Sequence, residues 1–220
     1  DALASERAVA LSQLAQRRDD MYRYPLRLAR EAAWGDHPYA RTSLGTEAAL
    51  GALQAADLRA WHRDTVLSGE QLIVIVGDAE PEGMAALAAG AFGALSPGPR
   101  GSLSPPEWPR SPASRAEQRD KAQTAIALAF PGPSRADNSR FAAALLGGVA
   151  SGLGGRFFEA LRDKKSLAYT VMVSPIVRPL AGQFVAYIAT SPEKEDEARR
   201  GLATGERELD RLKASRRLAG

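Results

Sequence analysis

The chain has 220 residues, of which 45% are hydrophobic and 25% are charged, and its formal net charge is +3. This composition predicts a globular chain with one or two cores and excludes wholesale disorder. The absence of cysteine excludes disulfides, thiolate metal sites and a cysteine nucleophile. Lysine and arginine are interspersed with acidic residues, so we expect no nucleic-acid partner. No apolar run approaches the length of a membrane span.

The first third of the chain is predicted to be mostly helical. Residues 1–33 have apolar residues at helical spacing and predict one or two helices. Two short helices are expected at about 47–54 and 57–66. The second of these has three apolar residues that can share a buried face: Leu58, Trp61 and Val66.

A Gly-Asp-His-Pro-Tyr-Ala stretch at 35–40 separates these helices and is expected to be a structural loop. The chain has two histidines, His37 and His62, and no H-x-x-E-H sequence. That motif places two imidazoles and a base on one helix face, and this chain cannot assemble it. We therefore expect both histidines to be packing or surface residues.

A β-branched run, Gln71–Val76, predicts a buried strand, and a helix with one apolar side is expected from Pro81 to Leu95. Residues 96–114 are rich in proline and glycine, which forbid a helix or a central strand. This stretch is the clearest linker in the sequence. Trp108 is the residue expected to pin it to one domain.

The second half of the chain alternates between strand and helix patterns. A strand is expected over Ala122–Phe130, ended by the Pro-Gly-Pro at 131–133. A helix capped by Asp137 or Asn138 follows, and its inward face is predicted to contain Phe141, Ala144, Leu145 and Val149. Two hairpin strands come next, and Ser191-Pro192-Glu193 is a favourable start for a final helix.

The stretch 147–189 carries the residues with the most chemistry. It reads as a glycine-rich loop, a short amphipathic helix and a hairpin. Arg162 closes the helix and Tyr169 lies in the strand that follows, so both heads can point into the same space. A guanidinium offers a rigid fork of donors that suits a carbonyl or an oxyanion, and a phenol adds another donor. Together they can hold a peptide carbonyl while it is attacked.

A simpler interpretation is available for each of these features. Arg162 can complement the dipole at the helix C-terminus, and Tyr169 can be an ordinary strand aromatic. The glycines before the helix, Gly152, Gly154 and Gly155, can serve a helix end and a tight turn. Their spacing does not fit a dinucleotide-binding G-x-G-x-x-G motif.

Several separated segments, taken in order, resemble the pitrilysin/insulinase-type zinc peptidases, the inverzincins, of the bacterial processing-peptidase-like type. The segments are the His-Pro-Tyr loop, DLRAWH, VIVGD, GGRFFEALRDKKSLAYTV and GQFVAYIATSPE. The resemblance extends over nearly the whole chain. It implies an α+β fold of two homologous α/β-layered domains, each an antiparallel-rich sheet with helices packed on it. Residues 1–95 would be the later part of the first domain, 96–114 the linker and 115–220 the early part of the second.

The resemblance also implies roles for particular residues. In this family the arginine and the tyrosine of the motif contact substrate at a zinc site on the other homologous domain, and these roles fall on Arg162 and Tyr169. The glycine-rich loop of some members meets the substrate, which points to Gly152, Gly154 and Gly155.

The family's third zinc ligand is an acid in the pattern E-R-x-x-x-x-x-E, where this chain has Gln13. A neutral amide is a poor substitute for a carboxylate on zinc. We therefore expect no metal site and no cofactor in this chain, with zinc on a partner domain or subunit. The chain is expected to be inactive alone.

The sequence hypothesis is a non-zinc-binding subunit or half of a zinc metalloendopeptidase, in a heterodimer or fused pair with a zinc-binding homologue and with a peptide as substrate. Two alternatives remain open. One is a self-sufficient zinc peptidase whose H-x-x-E-H lies upstream, and the other is a non-enzymatic scaffold subunit of the same superfamily. The resemblance favours the bacterial periplasm over the cytoplasm. Because the chain begins in a helical stretch, a targeting segment is expected upstream.

Overall fold

A computed structural model describes residues 2–95, 98, 101–151 and 170–202 of the chain. The chain divides into two compact units. The first unit comprises Asp1–Leu11 and Thr46–Ser104, and the second comprises Ser12–Gly45 and Pro105–Gly220. Each unit is considered by itself below.

Five helices precede the first strand, and they confirm the helical prediction for this part of the chain. They are α1 (Ala2–Asp19), α2 (Arg23–Trp34), α3 (Glu47–Ala52), α4 (Ala55–Trp61) and α5 (Pro81–Phe92). A 3-10 turn at Pro38–Ala40 follows α2, and a π-helical turn at His62–Val66 extends α4. Helix α1 begins in the first unit and ends in the second.

Local hydrogen bonds organise the first unit. Thr46 caps α3 by accepting a hydrogen bond from the Ala49 N–H at 3.1 Å. Glu80 caps α5 in the same way, accepting from the Gly83 N–H at 2.6 Å. The Arg7 guanidinium of α1 donates to the carbonyl oxygen of Leu50 at 2.9 Å. These contacts satisfy helix ends, which otherwise leave backbone groups unpaired.

The predicted burial of the first unit is wrong. Residues 71–76 form no strand, and the side chains of Leu72 and Val76 are 87% and 93% exposed. The expected buried face of the second short helix and the apolar side of α5 are exposed as well: Leu58, Trp61, Val66, Leu87 and Phe92. None of the described residues of this unit is buried. The apolar pattern is present, but no described layer of this unit packs against it.

The second unit contains a three-stranded antiparallel sheet. Its strands are β1 (Thr124–Gly132), β2 (Thr170–Val177) and β3 (Gly182–Thr190), in the order β1-β3-β2. The hairpin of β2 and β3 confirms the sequence prediction. Strand β1 continues through Pro131, two residues beyond its predicted end. A proline is tolerated there because β1 lies at an edge of the sheet formed by the described strands, where hydrogen-bond partners are needed on one side only.

Helices cover both faces of this sheet, as expected for an α+β fold. Helix α6 (Ser139–Ser151) packs on β2, and α2 packs on β1. Asp137 caps α6 by accepting a hydrogen bond from the Ser139 N–H at 2.8 Å. The core on the α6 side includes helical residues 195–202, which follow a 3-10 turn at Pro192–Lys194. Its buried members are Ile126, Ala150, Val171, Val173, Ala186, Ile188, Ala198 and Leu202.

A second core cluster lies on the α2 side of the sheet. Trp34 is buried there and meets the ring of Trp108 edge to face, with centroids 5.2 Å apart. Ala129 of β1 and Ala181 of the hairpin turn pack against the same cluster. Trp108 therefore fixes the proline-rich stretch to the second unit, as the sequence indicated.

Helix α6 presents the opposite face to the one predicted. Its buried residues are small: Ala143, Gly147 and Ala150. Phe141, Leu145 and Val149 are exposed, Leu145 to 68%, and Ala144 is exposed with them. The reason is the close approach of helix and sheet, since a Cβ atom on Gly147 would lie 2.7 Å from Cδ of Pro175. Larger side chains do not fit in that gap, and they lie on the outer face.

Candidate functional site

The residues predicted to act on substrate lie outside the described part of the chain. These are Arg162 and Tyr169, together with Gly152, Gly154 and Gly155. The structure describes the two elements on either side of them. Helix α6 ends at Ser151, and strand β2 begins at Thr170.

The two ends of this segment are joined by a pair of hydrogen bonds. The Val173 N–H donates to the Ser151 hydroxyl oxygen at 2.7 Å, and that hydroxyl donates to the Val173 carbonyl oxygen. Ser151 is the last residue of α6, and Val173 is the fourth residue of β2. The end of α6 and the first half of β2 are therefore tied together.

Buried residues pack next to the Ser151–Val173 contact. Ala150, Val171 and Val173 belong to the same core cluster, and Ile188 of β3 lies opposite Val171 in the sheet. A well-packed core allows little movement, because even small changes of volume are resisted. The junction is thus a rigid base for whatever 152–169 carries.

The other face of the sheet is held by tyrosines. The Tyr22 hydroxyl donates to the sulfur of Met172 in β2 at 2.7 Å, and its ring meets that of Tyr187 edge to face at 5.0 Å. The buried Tyr187 hydroxyl donates to the Met21 carbonyl oxygen at 2.7 Å. Burial raises the pKa of Tyr187 to about 12. Strand β2 is therefore contacted on both faces next to the candidate segment.

The position of the family's third zinc ligand is also described. Gln13 lies in α1 and is exposed, whereas its neighbour Leu14 is buried. Among the described residues, no three histidine, cysteine or acidic side chains come together as metal ligands. The neutral amide of Gln13 is itself a poor zinc ligand, because zinc sites use thiolate, imidazole or carboxylate groups.

The histidines of the chain have structural surroundings. His37 Nδ1 accepts a hydrogen bond from the Tyr39 N–H at 3.1 Å, and the two rings meet edge to face with centroids 4.8 Å apart. His62 is exposed and begins the π-helical turn. The prediction that both are packing or surface residues is confirmed.

Sequence reasoning missed a cavity of about 1060 Å³ in the second unit. It follows β1, at the edge of the sheet opposite β2. Near it, the Tyr24 hydroxyl donates to Glu117 at 2.5 Å, and this hydrogen bond raises the pKa of Tyr24 and lowers that of Glu117. The lining residues include Tyr24, Leu28, Trp108, Glu117, Ala127 and Phe130. The only sequence signal was the cluster of charged residues at 115–121.

The antiparallel sheet covered by helices on both faces defines an α+β domain, and Gln13 stands where the resemblance places an acidic zinc ligand. A family model described as the Peptidase M16 inactive domain matches residues 52–215. The chain belongs to this family, and the resemblance found in the sequence is confirmed.

Similar proteins carry matching descriptions. A protein of Mycobacterium tuberculosis named an uncharacterized zinc protease is 27% identical over 199 residues, which cover 88% of this chain and 45% of that protein. A protein of the same kind from Mycobacterium leprae is 29% identical over 201 residues, covering 87% and 44%. The chain therefore spans a little under half the length of these relatives.

Solved structures show the same fold. A peptidase M16 inactive domain from Pseudomonas fluorescens superposes with a TM-score of 0.74 at 23% identity, covering 96% of this chain and 52% of that one. A periplasmic protease from Escherichia coli superposes with a TM-score of 0.56 at 20% identity, covering 92% and 23%. No helix in the described ranges is long and apolar enough to cross a membrane.

Proposed function

We propose that this chain belongs to the non-zinc-binding half of a zinc metalloendopeptidase and that Arg162 and Tyr169 are its catalytic residues. In this proposal they bind the carbonyl of the scissile peptide bond and stabilise the tetrahedral intermediate. Gly152, Gly154 and Gly155 contact the peptide. The zinc ion belongs to a homologous partner domain or subunit.

One observation carries this proposal: the substrate-binding motif is present while the metal-binding position is lost. The chain has Arg162 and Tyr169 in the sequence L-R-x-K-x-x-L-A-Y, but Gln13 replaces the acid that would bind zinc. The family is described as the inactive domain of these peptidases. A domain that does not bind the metal can still contribute to peptide cleavage through substrate binding and charge stabilisation.

The two side chains suit that task. A guanidinium remains charged at any working pH and can donate two parallel hydrogen bonds to one oxygen-bearing group. Donors placed at the developing oxyanion are worth about a hundred- to a thousandfold in rate each. A tyrosine hydroxyl adds one more donor without a second charge.

The described junction supports the proposal because such donors must be held in place. Ser151 and Val173, which flank residues 152–169, are hydrogen-bonded to each other. Loops that carry catalytic residues are usually positioned by a rigid scaffold of this kind. The buried Ala150 and Val171 make the scaffold here.

The first experiment asks where the zinc and the activity reside. The full-length protein is purified alone and together with a zinc-binding homologue from the same genome, and zinc content and cleavage of an internally quenched peptide are measured. We expect cleavage and stoichiometric zinc only when the zinc-binding homologue is present. Stoichiometric zinc and cleavage by the protein alone would contradict the proposal and favour the self-sufficient peptidase.

The second experiment tests the pair itself. In the active assembly, Arg162→Ala should lower kcat about a hundred- to a thousandfold, and Tyr169→Phe should lower it about tenfold. Lys165→Ala is the matched control, since Lys165 is a nearby cation at a variable position of L-R-x-K-x-x-L-A-Y. Unchanged kcat in the first two variants, with the assembly intact by size-exclusion chromatography, would favour a scaffold subunit.

A further inference from the structure

Two half-buried arginines meet at the turn that follows α2. Arg30 of α2 donates from Nε to the carbonyl oxygen of Ala40 at 3.3 Å. Arg178, at the end of β2, donates from Nη1 to the carbonyl oxygen of Tyr39 at 3.2 Å. Because these carbonyls belong to consecutive residues, the two guanidinium groups are fixed beside the same turn.

The turn itself is well held, so the arginines are presented by a fixed surface. The Tyr39 hydroxyl accepts a hydrogen bond from the Leu180 N–H at 3.1 Å. The guanidinium of Arg178 lies over the Tyr39 ring, 4.8 Å from its centroid. The ring of Trp34 meets Tyr39 edge to face at 6.1 Å.

Neither guanidinium has a carboxylate partner among the described residues. Glu31 is the nearest acid in sequence, and it pairs with Nε of Arg27 at 2.7 Å. The charges that act on Arg30 include three cations, those of Arg178, Arg27 and Arg17, and one anion, that of Glu31. Burial, followed by the charge of Arg178, lowers the pKa of Arg30. Positive charge here is in excess.

Each guanidinium also has donors to spare. An arginine side chain carries five N–H donors in a planar fork, and the described hydrogen bonds use one from each of Arg30 and Arg178. The indole N–H of Trp34, in the adjoining cluster, is buried and has no acceptor among the residues that the structure describes. Paired forks with unused donors match the two oxygens of a carboxylate.

We propose that Arg30 and Arg178 form a binding site for a carboxylate at the Tyr39–Ala40 turn. The carboxylate is a free small anion or the acidic side chain of a bound polypeptide. Binding neutralises the like charges and uses the spare donors of both forks. This proposal does not depend on the roles of Arg162 and Tyr169.

The test is an NMR titration of the full chain, observing the Nε–H groups of arginine side chains at constant ionic strength. The probes are sodium acetate, the acetylated and amidated peptide Ala-Glu-Ala, the same peptide with glutamine, and sodium chloride. We expect the Arg30 and Arg178 signals to shift saturably with a carboxylate probe and not with the glutamine peptide or chloride. Binding of acetate without the glutamate peptide identifies a free anion as the ligand, and binding of both identifies an acidic side chain as an acceptable one.

The variants separate binding from folding. Arg30→Gln removes hydrogen bonds from a charged group to the carboxylate. It should therefore weaken binding roughly ten- to a hundredfold. Arg41→Gln is the control, because Arg41 is exposed on the same turn. Arg30→Lys keeps the charge but removes the fork, and it should also bind at least about tenfold more weakly.

Two results would overturn the site. One is the absence of any saturable shift with acetate and with the glutamate peptide. The other is equal affinity in Arg30→Gln, Arg30→Lys and the unchanged chain, with all three folded by their amide spectra.

Discussion

The two units of this chain have similar apolar patterns and very different burial. In the second unit the sheet is covered on both faces, and Ile188 in its middle strand is 0% exposed. In the first unit Ile75 lies in an equally apolar run, yet it is 52% exposed and unpaired. Both runs are rich in apolar residues and contain β-branched ones, and each favours a buried strand.

The difference shows what an apolar pattern does and does not determine. It determines which residues favour burial, since transfer of apolar surface from water is favourable wherever a partner exists. It does not supply the partner. In the second unit α2, α6 and the helical residues 195–202 provide it. Among the described residues of the first unit no element does so for 71–76.

The largest expected effect contrasts these two isoleucines. Ile188→Ala should lower the free energy of unfolding by about 2–5 kcal/mol, because it leaves a cavity in a packed core. Ile75→Ala should change it by less than about 0.5 kcal/mol, as expected at an exposed position. Urea unfolding followed by tryptophan fluorescence measures both. A comparable loss in Ile75→Ala would show that the run is buried in solution and would break the comparison.

The next effect uses two adjacent glycines of α6. Gly147→Ala should destabilise the fold by about 1–3 kcal/mol, because the new Cβ would lie 2.7 Å from Cδ of Pro175. Gly148→Ala meets nothing within 4 Å and should stabilise by up to about 1 kcal/mol through helix propensity. Thermal unfolding of the two variants measures the difference. Stabilisation by Gly147→Ala, as by Gly148→Ala, would mean that α6 does not approach β2 closely.

The sequence predicted the type of most elements and the presence of one antiparallel hairpin. Helical spacing and turn residues are local signals, so α2, α6 and the hairpin followed from them. The cap at Asp137 was local as well. The predicted start at Ser191-Pro192-Glu193 is instead a 3-10 turn without a side-chain cap, and the helix begins at 195. The packing of Trp108 against a folded unit was also predicted, from its place in a proline-rich stretch.

The facing of α6 could not be predicted from its own residues. Phe141, Leu145 and Val149 form the more hydrophobic stripe, but the sheet accepts only the small residues opposite them. That choice depends on the depth of the gap above Pro175, which is a tertiary property. The anchor between Ser151 and Val173 is of the same kind, because a serine at a helix end does not reveal a partner 22 residues away.

A smaller effect is expected at the tyrosines on the other face of the sheet. Tyr187→Phe should cost about 1 kcal/mol, because the Met21 carbonyl oxygen loses its buried donor. Tyr22→Phe should cost less, since Tyr22 is 40% exposed. Urea midpoints at neutral pH compare the two. A larger loss of stability in Tyr22→Phe would show that the exposed contact with β2 contributes more than the buried hydrogen bond of Tyr187.

The ionisation of Tyr187 also predicts the direction in which stability changes at alkaline pH. Its folded-state pKa is raised to about 12 from an ordinary value of 10.0. Its contribution to stability is therefore complete below about pH 10 and is lost as the pH rises through about 12. The unchanged chain should lose more stability over this range than Tyr187→Phe does. Equal alkaline losses would show that the hydroxyl is solvated.

The smallest effect is expected at Glu117, on the surface of the well-buried unit. Tyr24 donates to this carboxylate, and Arg18 pairs with it at 3.1 Å. The hydrogen bond from Tyr24 lowers the pKa of Glu117 from 4.5, so its stabilising contribution is present above that value and is lost as the pH falls through the lower one. Because solvent and salt screen exposed pairs, Glu117→Gln should barely change the urea midpoint near neutral pH.

Lowering the pH should reveal the small contribution of the Glu117 carboxylate to stability. From about pH 6 to about pH 3 in low salt, the unchanged chain should lose slightly more stability than Glu117→Gln. Glu107→Gln is the control, since Glu107 is an exposed acid of the same extended stretch. A large loss of stability in Glu117→Gln near neutral pH would mean that even surface contacts contribute strongly when they belong to the second unit. A negligible loss would show that burial itself, and not membership of that unit, separates Ile188 from Ile75.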